Sequence, residues 1–318
     1  MLGEVRVYMA EGKGVNVANP AQPRSDELVV ENSKAESGHR LRGKRPKLGQ
    51  NFLADHSAAG RIVDALGEIS DKTVVEIGPG SSALTQPLSQ RARRLIAVEL
   101  DRVLAAQLRM NFSRSPNVEI IEGDVLSLDF STVLGPRPGM SRPGLVHAPA
   151  KAQLVGNLPY YITSDILLHL FQYHEYFDTV VIMVQREVAD RIVAKPGRKE
   201  YGLLSATVQL YSKVEKLFTL PPGAFSPPPK VHSTVLRLTI NPQLDRLRVP
   251  EREFIDFLKL SFAQKRKTLW NNLKLRYHAQ ALTAALKKAG VQPGVRAEAV
   301  SLEKTAAVFR ALTTAVAG

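Results

Sequence analysis

Five short apolar runs rich in β-branched residues constrain this chain more than any other feature. They are TVVEIG (73–78), RLIAVE (94–99), NVEIIEGD (117–124), AQLVGN (152–157) and TVVIMV (179–184). Helix-length amphipathic segments lie between them, such as the one from Asp101 to Phe112, where Asp101 can cap the helix N-terminus. Strand alternating with helix at this spacing predicts an α/β fold, a parallel sheet covered on both faces. Two later runs, KVEKLFTL and TVLRLTI, flank the Pro-rich PPGAFSPPPKVHS and read as an antiparallel pair that closes the sheet.

From Leu244 onward the patterning is helical only, through EREFIDFLKLSFAQKRKTLWNNL, AQALTAALKKAG and LEKTAAVFRALTTAV. The expected organisation is a mobile N-terminal extension over 1–43, an α/β domain over 44–243 and a small basic all-helical domain over 244–318. The stretch GPRPGMSRPGLVHAPA (135–150) reads as an irregular surface loop. A formal net charge of +13 points to a polyanionic partner, with RNA or DNA foremost. The absence of cysteine removes disulfides, thiolate metal sites and cysteine nucleophiles together, and fits a cytoplasmic protein. No apolar run approaches a membrane span. His169, His174 and His232 share no metal-like spacing with carboxylates, so no metal is expected.

In an open parallel sheet, ligands bind at the carboxyl ends of the strands near the topological switch point. The first strand ends in EIGPGSSALT, where Gly78 and Gly80 permit a tight turn and close approach of a ligand to the backbone. Two glycines alone read equally well as a plain turn. Glu99 ends the next strand about twenty residues on, where an acid can accept from both hydroxyls of a ribose. Asp124 ends the third and is placed to accept from an adenine amino group. Three strand-end features thus converge on an adenosine.

Gly78-Pro79-Gly80-Ser81-Ser82-Ala83 also satisfies the dinucleotide pattern G-x-G-x-x-G/A, so NAD has to be weighed. Pro79 has no N–H for a pyrophosphate, Glu76 suits the ammonium of an amino-acid moiety better than a phosphate, and Asp124 has no part in that pattern. S-adenosylmethionine accounts for all three.

The fourth strand runs into Asn157-Leu158-Pro159-Tyr160. The exocyclic nitrogen of adenine is a poor nucleophile because its lone pair is delocalised into the ring. The Asn157 side-chain oxygen and the Leu158 carbonyl could accept both of its N–H bonds, favouring a pyramidal nitrogen aimed at a methyl group. Pro159 would fix the turn, and Tyr160 would offer a ring on which the base stacks. Orientation, rather than a strong base, would then supply most of the rate.

Together these residues resemble the ribosomal RNA adenine N6-dimethyltransferases. The resemblance runs from about Lys47 to near the C-terminus, through GQNFL (49–53), EIGPG (76–80), VELD (98–101), GD (123–124), NLPYYIT (157–163), QREVADRI (185–192), FSPPPKVHS (225–233) and QKRKTLWNNL (264–273). Eight motifs in order are specific where each alone is weak. The resemblance implies a class I S-adenosylmethionine-dependent methyltransferase fold, Rossmann-like, with the small helical domain following it. It also implies cofactor contacts at Asn51, Leu53, Gly78, Glu99, Asp124 and Asn157, and a base-stacking role for Phe225 opposite Tyr160. Ser82 departs from the pattern, which often has a third glycine there, and a slightly tighter loop is expected.

The implied substrate is a pair of adjacent adenosines, each dimethylated, in the stem-loop near the 3′ end of small-subunit rRNA. The implied partner is a pre-ribosomal small subunit, met by a monomer. With the net charge, the resemblance favours RNA contact for Lys265, Arg266 and Lys267 over a merely solvated face. Three rivals stand beside this reading. They are a large-subunit rRNA methyltransferase of the macrolide-resistance type, a non-catalytic nucleic-acid binder of the same lineage, and an NAD-dependent oxidoreductase, for which no hydride-handling site is visible.

Overall fold

The computed structural model describes residues 51–135, 151–159 and 161–314. The expected extension over 1–43, nearly all of the 135–150 loop and Tyr160 lie outside the described residues. Among the described residues there are nine strands: β1 (Phe52–Leu53), β2 (Thr73–Ile77), β3 (Arg94–Glu99), β4 (Val118–Glu122), β5 (Ala152–Asn157), β6 (Phe177–Gln185), β7 (Ser212–Leu220), β8 (Phe225–Ser226) and β9 (Ser233–Ile240). Seven form one sheet in the order β4-β3-β2-β5-β6-β9-β7. The first five in that order run parallel, and β9 is antiparallel to both β6 and β7. All the strands predicted from the sequence are present, and the closing pair is there with β9 on the inside.

Alternation along each strand sends neighbouring residues to opposite faces. Val75, Ile77, Ile96, Val98, Leu154 and Ile182 belong to one apolar cluster. Val74, Leu95, Val155, Val181 and Met183 belong to another, with Ile62, Val63 and Leu88 from the covering helices. Burial on both faces is why these strands read as nearly continuous apolar runs. The helix Arg102–Asn111 begins as expected, with the Asp101 carboxylate accepting from the N–H groups of Val103 and Leu104 at 2.8 and 3.2 Å.

Phe254, Phe257, Leu258, Phe309 and Leu312 of the C-terminal helices enter the same cluster as Val75 and Ile77. The sheet and the C-terminal helices thus share one apolar cluster.

One helical expectation fails. EREFIDFLKLSFAQKRKTLWNNL is not one helix but two, Glu251–Ser261 and Leu269–Leu273, with Lys265, Arg266 and Lys267 in the exposed turn between them. The buried face of the first helix is Phe254, Phe257, Leu258 and Ser261. One further turn would carry Lys265 onto that face, and a buried ammonium is costly. Thr268 instead caps a new helix, its hydroxyl accepting from Asn271 N–H at 3.1 Å. Buried Asn272 staples the break, donating from Nδ2 to the carbonyls of Ser261 (2.7 Å) and Gln264 (3.3 Å).

A second feature joins segments that the pattern leaves apart. β1 and β8 pair antiparallel, with Phe52 opposite Ser226 and Leu53 opposite Phe225. The N–H groups of Ala54 and Asp55 both donate to the Ala224 carbonyl, at 2.8 and 3.2 Å. Phe52 and Leu53 are thereby fastened to the Pro-rich motif.

Replacing Asn272 by Ala strips two carbonyls of their donor, and should cost about 1–3 kcal/mol of stability in urea denaturation. A variant as stable as the parent would show that the staple does not hold the turn.

Candidate active site

The strand order reverses between β2 and β5, and a cleft opens there at the carboxyl ends of the strands. Ile77, Gly78 and Gly80 line it after β2, Val98, Glu99 and Leu100 from β3, and Gly123, Asp124 and Val125 after β4. Asn157, Leu158 and Pro159 line it from the end of β5, and Asn51 and Phe52 from the segment at β1.

The glycine loop leaves β2 with Gly78 at φ 66° and Gly80 at φ 53°, conformations that glycine adopts without a Cβ penalty. Ser82 follows at φ 68°, so the position where the motif often has glycine is left-handed here as well. A serine there costs about 1–2 kcal/mol relative to ordinary backbone. The loop is held by Glu99, which is 3% exposed. Its Oε2 accepts from Gly80 N–H at 3.0 Å and its Oε1 from Asp101 N–H at 2.9 Å. Each carboxylate oxygen can take a second hydrogen bond, so Glu99 can serve the loop and a ligand together.

Asp124 Oδ1 caps the short turn Val125–Ser127, accepting from Leu126 N–H at 2.9 Å. Its other oxygen makes no hydrogen bond among the described residues. Carboxylates at neighbouring strand ends suit ribose hydroxyls and an adenine amino group, and the left-handed glycines let a ligand lie close. The residues fit an adenosine.

On the other side, Asn157 Nδ2 donates to the Asn51 carbonyl at 3.0 Å. Only the NH₂ of an amide can donate to a carbonyl, so this bond fixes the orientation and leaves Oδ1 as an acceptor. Leu158 is buried, and its N–H donates to the Met183 carbonyl at 3.1 Å. The Pro159 carbonyl accepts from Ile162 N–H (3.2 Å) and Thr163 Oγ1 (3.0 Å), closing the turn.

Other predicted residues lie elsewhere. Leu53 and Phe225 face each other across the β1–β8 pair, 6% and 4% exposed, in an apolar cluster and not among the cleft residues. Lys265, Arg266 and Lys267 are likewise outside the cleft lining. Sequence reasoning passed over Phe52 and Tyr161, both in the lining, and Tyr161 is 67% exposed. The second aromatic of NLPYY and the ring within GQNFL were the available signals.

Glu76 is buried in β2 on the opposite face from Ile77, with no hydrogen-bond partner for Oε2. Desolvation pushes its carboxyl up to about 8, the charge of Glu99 adds to the rise, and the Thr85 hydroxyl opposes part of it.

The family model described as ribosomal RNA adenine dimethylase matches residues 42–314. The chain belongs to that family. The ribosomal RNA small subunit methyltransferase A of Koribacter versatilis is 61% identical to this chain over 269 residues, covering 85% of this chain and 94% of that protein. The protein of the same name from Geobacter metallireducens is 39% identical over 274 residues, covering 84% and 95%. The structure of the 23S rRNA methyltransferase ErmE superposes with a TM-score of 0.60 at 27% identity, over 83% of this chain and all of that one. A dimethyladenosine transferase from Plasmodium falciparum, at 22% identity and a TM-score of 0.64, shares the fold over 83% of this chain and 98% of its own. The expected class I methyltransferase fold is thus found.

The acid beneath the loop has a measurable signature. Between pH 4.5, the ordinary value, and about 8, the folded chain keeps a proton on Glu76 that the unfolded chain has released. Its contribution therefore turns unfavourable as pH rises through that window, and vanishes below it, where both states are protonated. Glu76→Gln should accordingly gain stability on the parent between pH 5 and 8 in parallel denaturation curves. Identical pH slopes for the two proteins would contradict a buried, proton-holding Glu76.

Proposed function

We propose that this chain transfers methyl groups from S-adenosylmethionine to N6 of two adjacent adenosines in the 3′-terminal stem-loop of small-subunit (16S) rRNA. The products are N6,N6-dimethyladenosines, made during small-subunit biogenesis. One observation carries the reading: the Asn157 amide, with Oδ1 left as acceptor, shares a cleft with Glu99 and Asp124. The names of the relatives, small subunit methyltransferase A, support the choice of ribosomal subunit.

When bound, S-adenosylmethionine supplies an electrophilic methyl group. Glu99 would hold the ribose hydroxyls, Asp124 the adenine amino group, and the Gly78–Gly80 loop the amino-acid end, with Asn51 beside it. The Leu53 side chain is core, so Leu53 can contribute only through its backbone. Glu76, two residues before Gly78, is held protonated by its burial, so it would give the ammonium a negative charge only on losing that proton.

Asn157 Oδ1 and the Leu158 carbonyl accept the two N6–H bonds of the target adenosine and hold its lone pair in line. Neither amide oxygen is a base at neutral pH, so these groups orient the nucleophile, and the proton it loses passes to water. The base must arrive unpaired or extruded from its helix. Tyr160 would stack on it, and Phe225 would join it only if its ring leaves the apolar cluster. Lys265, Arg266 and Lys267, exposed together in one turn, would bind phosphates and set register. No helix among the described residues is long and apolar enough to cross a membrane. We read the protein as a cytoplasmic monomer acting on a pre-ribosomal small subunit.

The deciding experiment is transfer of labelled methyl groups to undermethylated small and large ribosomal subunits, followed by mapping. Label on two adjacent small-subunit adenosines is expected, and label confined to large subunits would overturn the proposal. Asn157→Ala should lose most turnover, about a hundredfold or more, with its melting curve little changed. Wild-type turnover in that variant would remove Asn157 from the chemistry. Reversing Lys265, Arg266 and Lys267 to Glu should weaken rRNA binding and flatten its dependence on salt while cofactor affinity holds. If the salt slope survives, the phosphate track lies elsewhere.

A further inference from the structure

Phe52 takes no part in the function proposed above, yet it connects the two halves of the cleft. A Cβ placed on Gly80 would stand 2.8 Å from both Cδ1 and Cε1 of Phe52. The ring therefore fills the space that a side chain at Gly80 would need, and it rests on the loop that Glu99 holds through Gly80 N–H. One residue earlier, the Asn51 carbonyl accepts from Asn157 Nδ2. That is the one hydrogen bond that the Asn157 side chain makes among the described residues.

The segment is clamped on its far side by the β1–β8 pair and by the N–H groups of Ala54 and Asp55 on the Ala224 carbonyl. These clamps act from Phe52 onward. Asn51 itself lies beyond the paired residues, so the seat of its carbonyl depends on how Phe52 packs. A continuous line of contact runs from Glu99 to Gly80, to the Phe52 ring, to the Asn51 carbonyl and to the Asn157 amide. The first members belong to the cofactor side and the last to the base side.

We propose that Phe52 is a positioning residue for methyl transfer: its ring, seated on Gly80, holds the Asn51 carbonyl that turns the Asn157 amide oxygen toward the target nitrogen. This rests on the reading of Asn157 as the acceptor for N6. It also gives Gly80 a second reason to be glycine. The residue needs its φ of 53°, and it leaves room for the ring that orients the acceptor. A merely structural Phe52 would pack against the loop without any effect on the Asn157 amide.

Full-length Phe52→Ala and Phe52→Leu proteins separate these cases, with Leu as the variant that keeps most of the apolar volume. The first readout is the side-chain ¹⁵N amide signal of Asn157, assigned by its loss in Asn157→Ala. In both Phe52 variants its two protons should exchange with water faster than in the parent, by about tenfold. The second is single-turnover methyl transfer to undermethylated small subunits at saturating cofactor. Phe52→Ala should slow it about ten- to a hundredfold with a smaller change in cofactor KM, and Phe52→Tyr, which keeps the ring, should restore it.

In the Asn157→Ala background, Phe52→Ala should add no further loss, because residues acting through one another are not additive. An unchanged Asn157 amide signal, or rate losses that multiply in the double variant, would overturn the proposal. Should the parent protein fail to methylate small subunits, the proposed function falls by itself. The amide signal still decides whether Phe52 orients Asn157.

Discussion

The Glu99 carboxylate is the constraint on which the rest of the cleft depends. Buried at the end of β3, it accepts from the backbone of Gly80 on one oxygen and of Asp101 on the other. One side chain thus sets the path of the glycine loop and the start of the helix that follows β3. Two N–H donors already offset much of the cost of burying its charge. Glu76, one strand away and equally buried, has no hydrogen bond on Oε2 and is held protonated instead. The two buried glutamates thus differ in their partners: Glu99 accepts from two backbone N–H groups, and Glu76 Oε2 from none.

The seven-stranded sheet was legible because parallel strands buried on both faces leave nearly continuous apolar runs, as in Leu95 to Val98 or Val180 to Val184. The strand-end acids were legible for a related reason. A carboxylate next to such a run has to be explained by something it binds. Asp101 as a helix cap rests on a local rule and was equally plain. The β1–β8 pair was not legible, because two-residue strands about 170 residues apart leave no periodicity to read.

The missed break after Ser261 has a different cause. Helical spacing continues through the cations, and only the burial of Phe254, Leu258 and Ser261 shows that the next turn would sink Lys265. Phe225 illustrates the limit of carrying roles over by motif: the sequence names the ring, while the structure places it in an apolar cluster, 4% exposed. Local chemistry can be read from a motif, but which way a ring faces is decided by packing partners far along the chain.

The pairing of β1 with β8 also bears on the order of events during synthesis. A ribosome makes the chain from its N-terminus, so Asn51 and Phe52 emerge long before Phe225 and Ser226. Until then the sheet can assemble from β2 to β6, but the segment that completes the cleft lacks the β1–β8 half of its fastening. β9 has to be inserted between β6 and β7 in the same late interval. A nascent or prematurely ended chain therefore has the parallel strands without the clamp. The clamp is postponed until the Pro-rich motif has left the exit tunnel.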